Sequence, residues 1–393
     1  MSASGLKIGL FSFCHPSDRS VGGANVVSNL SVQFRELGHE VWVYYPVREP
    51  HLPGPELWNG IHAVPLHIKN RVRGPLGLEK EISKKMAHAL HRDLDVVVAN
   101  NEFGAFFDDV PRDGSSRARR PLKVVALHGL AIRFMELGRY SRTPDLRNRL
   151  GYWLDVWALR PLERRSLESA DVLVACSDRV RDDARETYGV APERVHVVYN
   201  GVNVEELPTS EDKQRAREAL GLSQAGALVA FVGGDPYRKG LDLAKASVRM
   251  LRGRGTAVTL LNVGNSSPSE EGMVSFGKVL EERKRAVLLS SDIFVLPSIY
   301  EGFPAVIQEA ATLGIPVVTS FQSGLDIGKP GRDYVLVSEN TADAYAASMG
   351  ELLEDRERLA RIGEAGKRVL GSRSYRDQAR DYIRLFESIP LSL

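Results

Sequence analysis

Short apolar runs alternate along this chain with longer segments whose apolar positions recur every three to four residues. The runs at 7–13, 41–45, 95–100, 122–127, 172–176 and 195–199 are continuous and mostly rich in valine, the pattern of parallel strands buried on both faces. A second set follows at 228–232, 258–263, 273–277, 293–296 and 315–319. Between the first two strands, 24–37 places Val27, Leu30, Phe34 and Leu37 on one helical face. Helices are likewise predicted at 151–169, 177–188, 211–220, 241–251, 304–313, 341–370 and 375–389, with another ending at Leu289. Strand and helix in alternation predict an α/β fold of open parallel sheets joined by crossover helices, a theme that both halves of the chain repeat. A length of 393 residues favours two domains over one core.

The best-defined unit spans 293–319. A strand ends at Pro297-Ser298, a loop covers 299–303, and a helix follows. Pro304 suits the first helical position, where its missing N–H would have no intrahelical partner, and Gly314 and Pro316 end the helix. Glu301 lies on the loop and Glu309 farther along the helix. Between them is the helix N-terminus, whose unpaired N–H groups and partial positive charge make a seat for phosphate. Acceptor, anion seat, acceptor is the order in which a nucleotide sugar presents a sugar hydroxyl, a diphosphate and a ribose diol. Two glutamates alone would fit a solvated surface equally well.

Other polar groups fall at strand ends. Gly22-Gly23 precede the first helix, where only glycine lets a ligand approach the backbone closely. Residues 233–240 read GGDPYRKG, with Arg238 and Lys239 at a helix start. A guanidinium gives a diphosphate a forked contact and an ammonium gives it a point charge. His128 follows the strand 122–127, at the carboxyl edge where parallel sheets bind ligands. Asn100, Asn101 and Glu102 end the preceding strand on the same edge. A lone histidine is more often structural than functional. No GxGxxG fingerprint is present, so NAD binding is poorly supported.

The stretch EGFPAVIQE, 301–309, followed by GIPVV resembles the E-x7-E motif of retaining glycosyltransferases of family 4. Gly22-Gly23 and the LGHEV that closes the first βαβ unit resemble that family's opening. Asn200-Gly201-Val202-Asn203 resembles its NGVD interdomain turn, with Asn203 replacing the final aspartate. In the loop 233–240, Gly234 stands where many members have arginine, which leaves that task to Arg238. The resemblance implies the GT-B architecture: two Rossmann-like domains facing across a cleft, an acceptor domain at 1–200 and a donor domain at 201–373, with the last helix, 374–393, crossing back to the first. It implies transfer of a sugar, with retention, from a UDP- or GDP-sugar to a hydroxyl of a glycan, lipid-linked or small-molecule acceptor. No metal and no cofactor beyond the donor are expected. Catalytic roles fall on Lys239, Arg238, Glu301 and His128. Donor contacts fall on Gly22, Gly23, Gly277, Val279, Gly302, Phe303, Pro304, Ala305, Val306 and Glu309, with the nucleobase read by backbone groups at 276–279. A nucleotide-sugar epimerase and a non-catalytic nucleotide-sugar-binding protein are the alternatives.

Composition narrows the setting. Apolar content is 43% and charged content 26%, ordinary for a globular protein. No apolar run approaches the roughly 20 residues of a membrane span. The start of the chain moves straight into a strand without a signal-peptide layout, and Cys14 and Cys176 make no disulfide framework, so a cytoplasmic setting is expected. Net charge is only +2, yet the stretch 117–165, bounded by Arg117 and Arg165, holds 12 Lys/Arg against 4 Asp/Glu. Such a segment suits a solvated helix surface or peripheral attachment to anionic lipid on the inner face of a membrane. It lacks the aromatic platforms of a nucleic-acid module, and nucleic acid is not expected as a partner. The acceptor-side loops, at about 48–78 and 101–150, leave the acceptor unspecified.

Overall fold

The computed structural model describes residues 5–18, 22–48, 53–68, 81–82, 84–85, 88–90, 93–109, 120–137, 146–222 and 226–389. The chain forms two compact units. One comprises Met1–Glu136, Tyr140–Asn200 and Tyr375–Leu393, and the other is built on Gly201–Ser374. The division falls within the Asn-Gly-Val-Asn turn.

The N-terminal unit contains β1 (Lys7–Phe11), α1 (Gly22–Glu36), β2 (Glu40–Arg48), β3 (Glu56–Trp58), β4 (Ile61–Ile68), β5 (Val96–Asn100), β6 (Leu122–Leu127), α2 (Ala131–Leu137), α3 (Leu146–Ser169), β7 (Val172–Ala175), α4 (Asp178–Tyr188) and β8 (Val195–Val197). Its sheet runs β3-β4-β2-β1-β5-β6-β7-β8 and is parallel apart from β3. The expected loop at 48–78 therefore contains an edge hairpin, β3 and β4. Pro65 and two histidines interrupt the apolar pattern of β4, which hid it. The helix α1 begins at Gly22, not Ala24, so the glycine pair forms its first turn instead of a preceding loop. Cys176 is buried and Cys14 only half so.

The C-terminal unit contains α5 (Ser210–Ala219), β9 (Ala227–Val232), α6 (Leu241–Gly253), β10 (Val258–Val263), β11 (Met273–Gly277), α7 (Glu281–Ser290), β12 (Ile293–Leu296), α8 (Ala305–Thr312), β13 (Val317–Ser320), β14 (Val335–Val337), α9 (Ala342–Glu354) and α10 (Arg356–Val369). The single helix expected at 341–370 is two, because the Asp355 side chain accepts from the Arg358 N–H and caps a new start. Pro304 stands at the N-cap of α8, one position earlier than expected, in an extended conformation. The last helix, α11 (Tyr375–Ser388), packs on the N-terminal unit. Its Tyr382 and Phe386 rings meet Phe34 of α1 at centroid distances of 6.2 and 6.3 Å.

Strand order decides where each unit can bind a ligand. The C-terminal sheet runs β11-β10-β9-β12-β13-β14, all parallel. Chain direction across the sheet reverses between β9 and β12, which pair through Ile293 with Val229 and Phe294 with Ala230. Loops leaving the carboxyl ends of two such strands turn to opposite faces and open a crevice. In the N-terminal sheet the same reversal falls between β1 and β5. Beside the β9/β12 reversal the two loop backbones touch. The Ile299 N–H donates to the Arg238 carbonyl at 2.8 Å. Gly240 has φ +81°, and a Cβ there would stand 2.1 Å from the Pro297 carbonyl oxygen.

Gly240→Ala should therefore lower the stability of the C-terminal unit by at least about 1–3 kcal/mol from the backbone conformation alone. Urea unfolding checks this, and an unchanged midpoint would refute the contact.

Candidate active site

Three predicted residues converge on one atom in the C-terminal unit. Lys239 Nζ and Arg238 Nη1 each lie 2.8 Å from Glu301 Oε1. The Ser298 hydroxyl donates to the same oxygen at 3.3 Å. Arg238 also donates to the Tyr300 carbonyl at 2.9 Å, which fixes its guanidinium against the β12 loop. Lysine and arginine leave the end of β9, and the glutamate leaves the end of β12, so the cluster spans the strand-order reversal. Its geometry needs glycine in two places. A Cβ on Gly233 would come within 2.3 Å of Lys239 Cδ, so the lysine stem passes only because Gly233 is bare. Gly324, at φ +70°, would set a Cβ 2.4 Å from the Glu301 carbonyl oxygen. Burial alone would push the Glu301 carboxyl up, but Lys239 and then Arg238 outweigh it and hold its pKa below the usual carboxylate value. Glu301 is thus ionised and offsets one of the pair's two positive charges, leaving the cluster net positive.

Helix N-termini along the same sheet edge lack side-chain caps. No side chain caps α6, α7 or α8, which follow β9, β11 and β12. In the same unit, Thr209, Thr341 and Asp355 cap α5, α9 and α10. Gly302, Phe303 and Pro304 lead into α8, and Ala305 and Val306 form its first turn. Pro304 has no side-chain oxygen, so the first N–H groups of α8 lack a local cap and suit an external anion.

Glu309, on α8, is 2.7 Å from Lys284 Nζ. Lys284 carries no motif signature in sequence and was missed. So was Ser298, and so was the buried pair Asn262–Asn265, in which Asn265 Nδ2 donates to the Gly233 carbonyl at 3.0 Å and steadies the glycine turn. Gly277 adopts φ +67° at the end of β11, and its carbonyl accepts from the Gly264 N–H at 2.7 Å. Val279 lies two residues on, half-buried before α7.

The N-terminal unit places His128 at the carboxyl edge of β6. Its Nε2 is 3.2 Å from Asn100 Oδ1, and its backbone N–H donates to Asn101 Oδ1 at 3.0 Å. Asn100 in turn donates from Nδ2 to the Phe11 carbonyl at the end of β1, at 2.9 Å. Oδ1 of Asn100 is therefore the acceptor, and His128 carries its proton on Nε2. Burial pushes the His128 pKa down to about 4, so the ring is neutral at physiological pH. The segment after His128 is held by the buried Glu163 of α3, which accepts from the Ala131 N–H at 2.7 Å and from the Tyr188 hydroxyl at 2.6 Å. Sequence reasoning missed Glu163, whose partners lie about 25 to 32 positions away. Gly22 and Gly23 belong to this unit as the first turn of α1. Of the basic stretch, Arg117 and the residues 118–119 and 138–145 lie outside the described residues. Within it, Arg133 pairs with Glu186 at 3.0 Å and Arg160 with Glu136 at 3.4 Å, so part of its charge is compensated. Among the described residues no group of three His, Cys, Asp or Glu could hold a metal ion. Among them, too, no helix is long and apolar enough to cross a membrane.

Two family models match the chain. Residues 21–206 match the model of Glycosyltransferase Family 4, and residues 212–369 match that of glycosyl transferases group 1. Together these span both units, and the chain belongs to the family 4, group 1 glycosyltransferases. It is 26% identical to an MMP alpha-(1->4)-mannosyltransferase of Mycolicibacterium hassiacum, over 92% of this chain and 93% of that one. It is 27% identical to a D-inositol 3-phosphate glycosyltransferase of Nocardia farcinica, over 88% and 80%. In fold it resembles sucrose-phosphate synthase from Thermosynechococcus elongatus, with TM-score 0.76, 19% identity and 98% of each chain covered. It also resembles Anabaena Alr3699/HepE in complex with UDP and glucose, with TM-score 0.68, 17% identity, and 98% and 100% covered. The protein is a glycosyltransferase with the two-domain α/β fold of the GT-B enzymes.

The His128 environment predicts a pH signature. Its folded pKa, near 4, lies below the ordinary value of 6.5, so the unfolded chain binds the extra proton between these values. Its contribution to stability should be fully present above pH 6.5 and fall away as pH drops towards 4. Unfolding midpoints measured across that window should fall less steeply with acid in His128→Gln than in the wild type. Parallel curves would contradict the assignment.

Proposed function

We propose that this enzyme transfers a sugar, with retention of anomeric configuration, from a nucleoside-diphosphate sugar to a hydroxyl acceptor. The observation that carries the reading is the shared Glu301 oxygen, with Lys239 and Arg238 both 2.8 Å away beside the uncapped start of α8. A diphosphate entering there meets two cations and open backbone N–H groups, which are the groups needed where charge grows on a leaving pyrophosphate. Glu301 holds a sugar hydroxyl and Glu309 the ribose. The acceptor oxygen bonds to the anomeric carbon on the face from which the diphosphate departs. The departing phosphate oxygen takes the acceptor's proton, so no enzyme nucleophile forms a covalent intermediate. Lys239, Arg238 and α8 supply the counter-charge without a metal ion or further cofactor.

Of the two expected bases, uridine and guanosine, the fold neighbour solved with UDP supports uridine. The names of the mannosyltransferase and inositol-phosphate relatives support a small polar or phosphorylated acceptor alongside glycan and lipid-linked ones. The neutral hydrogen-bonding edge of the N-terminal unit, His128 with Asn100, suits an uncharged hydroxyl there. The basic stretch from Arg117 to Arg165 supports a cytoplasmic enzyme that docks peripherally on anionic membrane, and liposome co-sedimentation with and without anionic lipid tests that part.

The main test pairs UDP-, GDP- and ADP-sugars with an acceptor panel and reads the product anomer by NMR. The donor's own anomeric configuration is expected in the product, with turnover unaffected by chelator. Lys239→Ala should lower kcat by about 100- to 1,000-fold at saturating donor. Near-normal turnover in that variant, or an inverted product, would contradict the mechanism. Epimerised donor without acceptor would mark an epimerase, and donor binding without turnover a non-catalytic binder.

A further inference from the structure

One buried face of α3 is polar. Glu163, Ser166 and Ser169 follow one another at three-residue intervals, with exposures of 0%, 0% and 8%. Each bonds to the backbone of a loop at the carboxyl edge of the sheet. The Ser169 hydroxyl donates to the Gly104 carbonyl at 2.8 Å, and the Ser166 hydroxyl donates to the Asn101 carbonyl. Both acceptors belong to the turn Asn101–Asp109 that follows β5. Helix and turn are in direct contact there, since a Cβ on Gly104 would stand 2.7 Å from Ser166 Oγ. Glu163 reaches the other loop, after β6, where it accepts from the Ala131 N–H at 2.7 Å.

The two loops meet at His128. On one side its N–H donates to Asn101 Oδ1 at 3.0 Å. Asn101 has φ +44°, a conformation that persists only where the surroundings hold it. On the other side Gly129 has φ +123°, where glycine turns freely, so the loop beyond it needs an anchor. Leu130 and Ile132 pack on Val156 of α3, but apolar contact sets no direction. The carboxylate does set one. One oxygen takes the Ala131 N–H and the other the Tyr188 hydroxyl at 2.6 Å, so α3 and α4 together fix the start of α2.

We propose that Glu163 is a positioning residue for His128, anchoring the loop beyond Gly129 so that the imidazole is presented to the acceptor hydroxyl in one geometry. This rests on the reading that the His128 edge receives the acceptor, and it adds to that reading a residue that touches neither substrate. Loss of Glu163 should therefore fall on the acceptor side of the reaction. It should spare the diphosphate, whose cations belong to the C-terminal unit.

Steady-state kinetics with the donor and acceptor that the wild type uses test this. Glu163→Ala should lower kcat by about 10- to 100-fold and raise the acceptor KM by about threefold or more, because a misplacement of about 1 Å is enough for such a loss. Calorimetric binding of free UDP, GDP or ADP, whichever the wild type holds tightest, should stay within about twofold. Glu163→Gln should recover kcat to within about threefold of wild type, since its amide oxygen takes the Ala131 N–H and its NH2 group donates to the Tyr188 oxygen. In spectra of protein labelled with 15N-histidine, the His128 ring signals should move in Glu163→Ala and keep their wild-type positions in Glu163→Gln. Glu163→Asp, one methylene shorter, should behave as the alanine form does and replaces it should that form fail to fold. Unchanged kcat and acceptor KM in the folded variant, unmoved His128 signals, or diphosphate binding that weakens in step with kcat overturns this inference alone. Failure of both Glu163→Ala and Glu163→Asp to fold also overturns it, by assigning Glu163 to stability. A wild type that transfers no sugar overturns the functional reading and this inference with it.

Discussion

Two cations share one carboxylate oxygen. A lysine and an arginine side by side at the end of β9 would repel each other and resist burial. Glu301, at the end of β12, eases both penalties at once. Removing one partner from a buried ion cluster typically costs about 3–5 kcal/mol, because the remaining charge stays buried without compensation. The loops around the cluster are shaped to permit it. Gly233 clears the lysine stem, Gly240 lets the two loop backbones meet, and Gly324 lets the segment after β13 close on the Glu301 backbone. The cations are thereby held at the sheet edge, with one of their two charges offset by Glu301.

The two units handle polarity differently at equivalent places in their sheets. At the β9/β12 reversal the C-terminal unit gathers full charges and open helix ends. At the β1/β5 reversal the N-terminal unit gathers an amide, a neutral imidazole and a backbone carbonyl. Charge suits an anionic leaving group, and neutral donors and acceptors suit a hydroxyl. One sheet design thus carries two chemistries, through the side chains at strand ends and not through the strands themselves.

The parts legible in sequence are those whose chemistry is local. Val-rich runs specify strands, Ser177 and Gly189 bound their helix, and EGFP after a strand marks the loop that carries Glu301. The proline was read one position late, because Pro304 fits an extended N-cap as well as a first helical residue. What could not be read depends on packing between distant segments. Nothing near Lys284 in sequence announces that α7 brings it to Glu309, 25 positions away by number. Glu163 looks like a surface residue of a charged helix until its backbone partners on α2 are in place. The strand β4 was lost because Pro65 and the histidines at 62 and 67 break the apolar pattern that made its neighbours plain.

The central claim is that Glu301 occupies the cations in the place of a diphosphate. Isothermal titration of free nucleoside diphosphate against wild type and Glu301→Gln tests it most directly. Without the competing carboxylate, the variant should bind the diphosphate at least as tightly as wild type, while its turnover with the full donor falls by about tenfold or more. Binding weakened by about tenfold in Glu301→Gln would contradict the account.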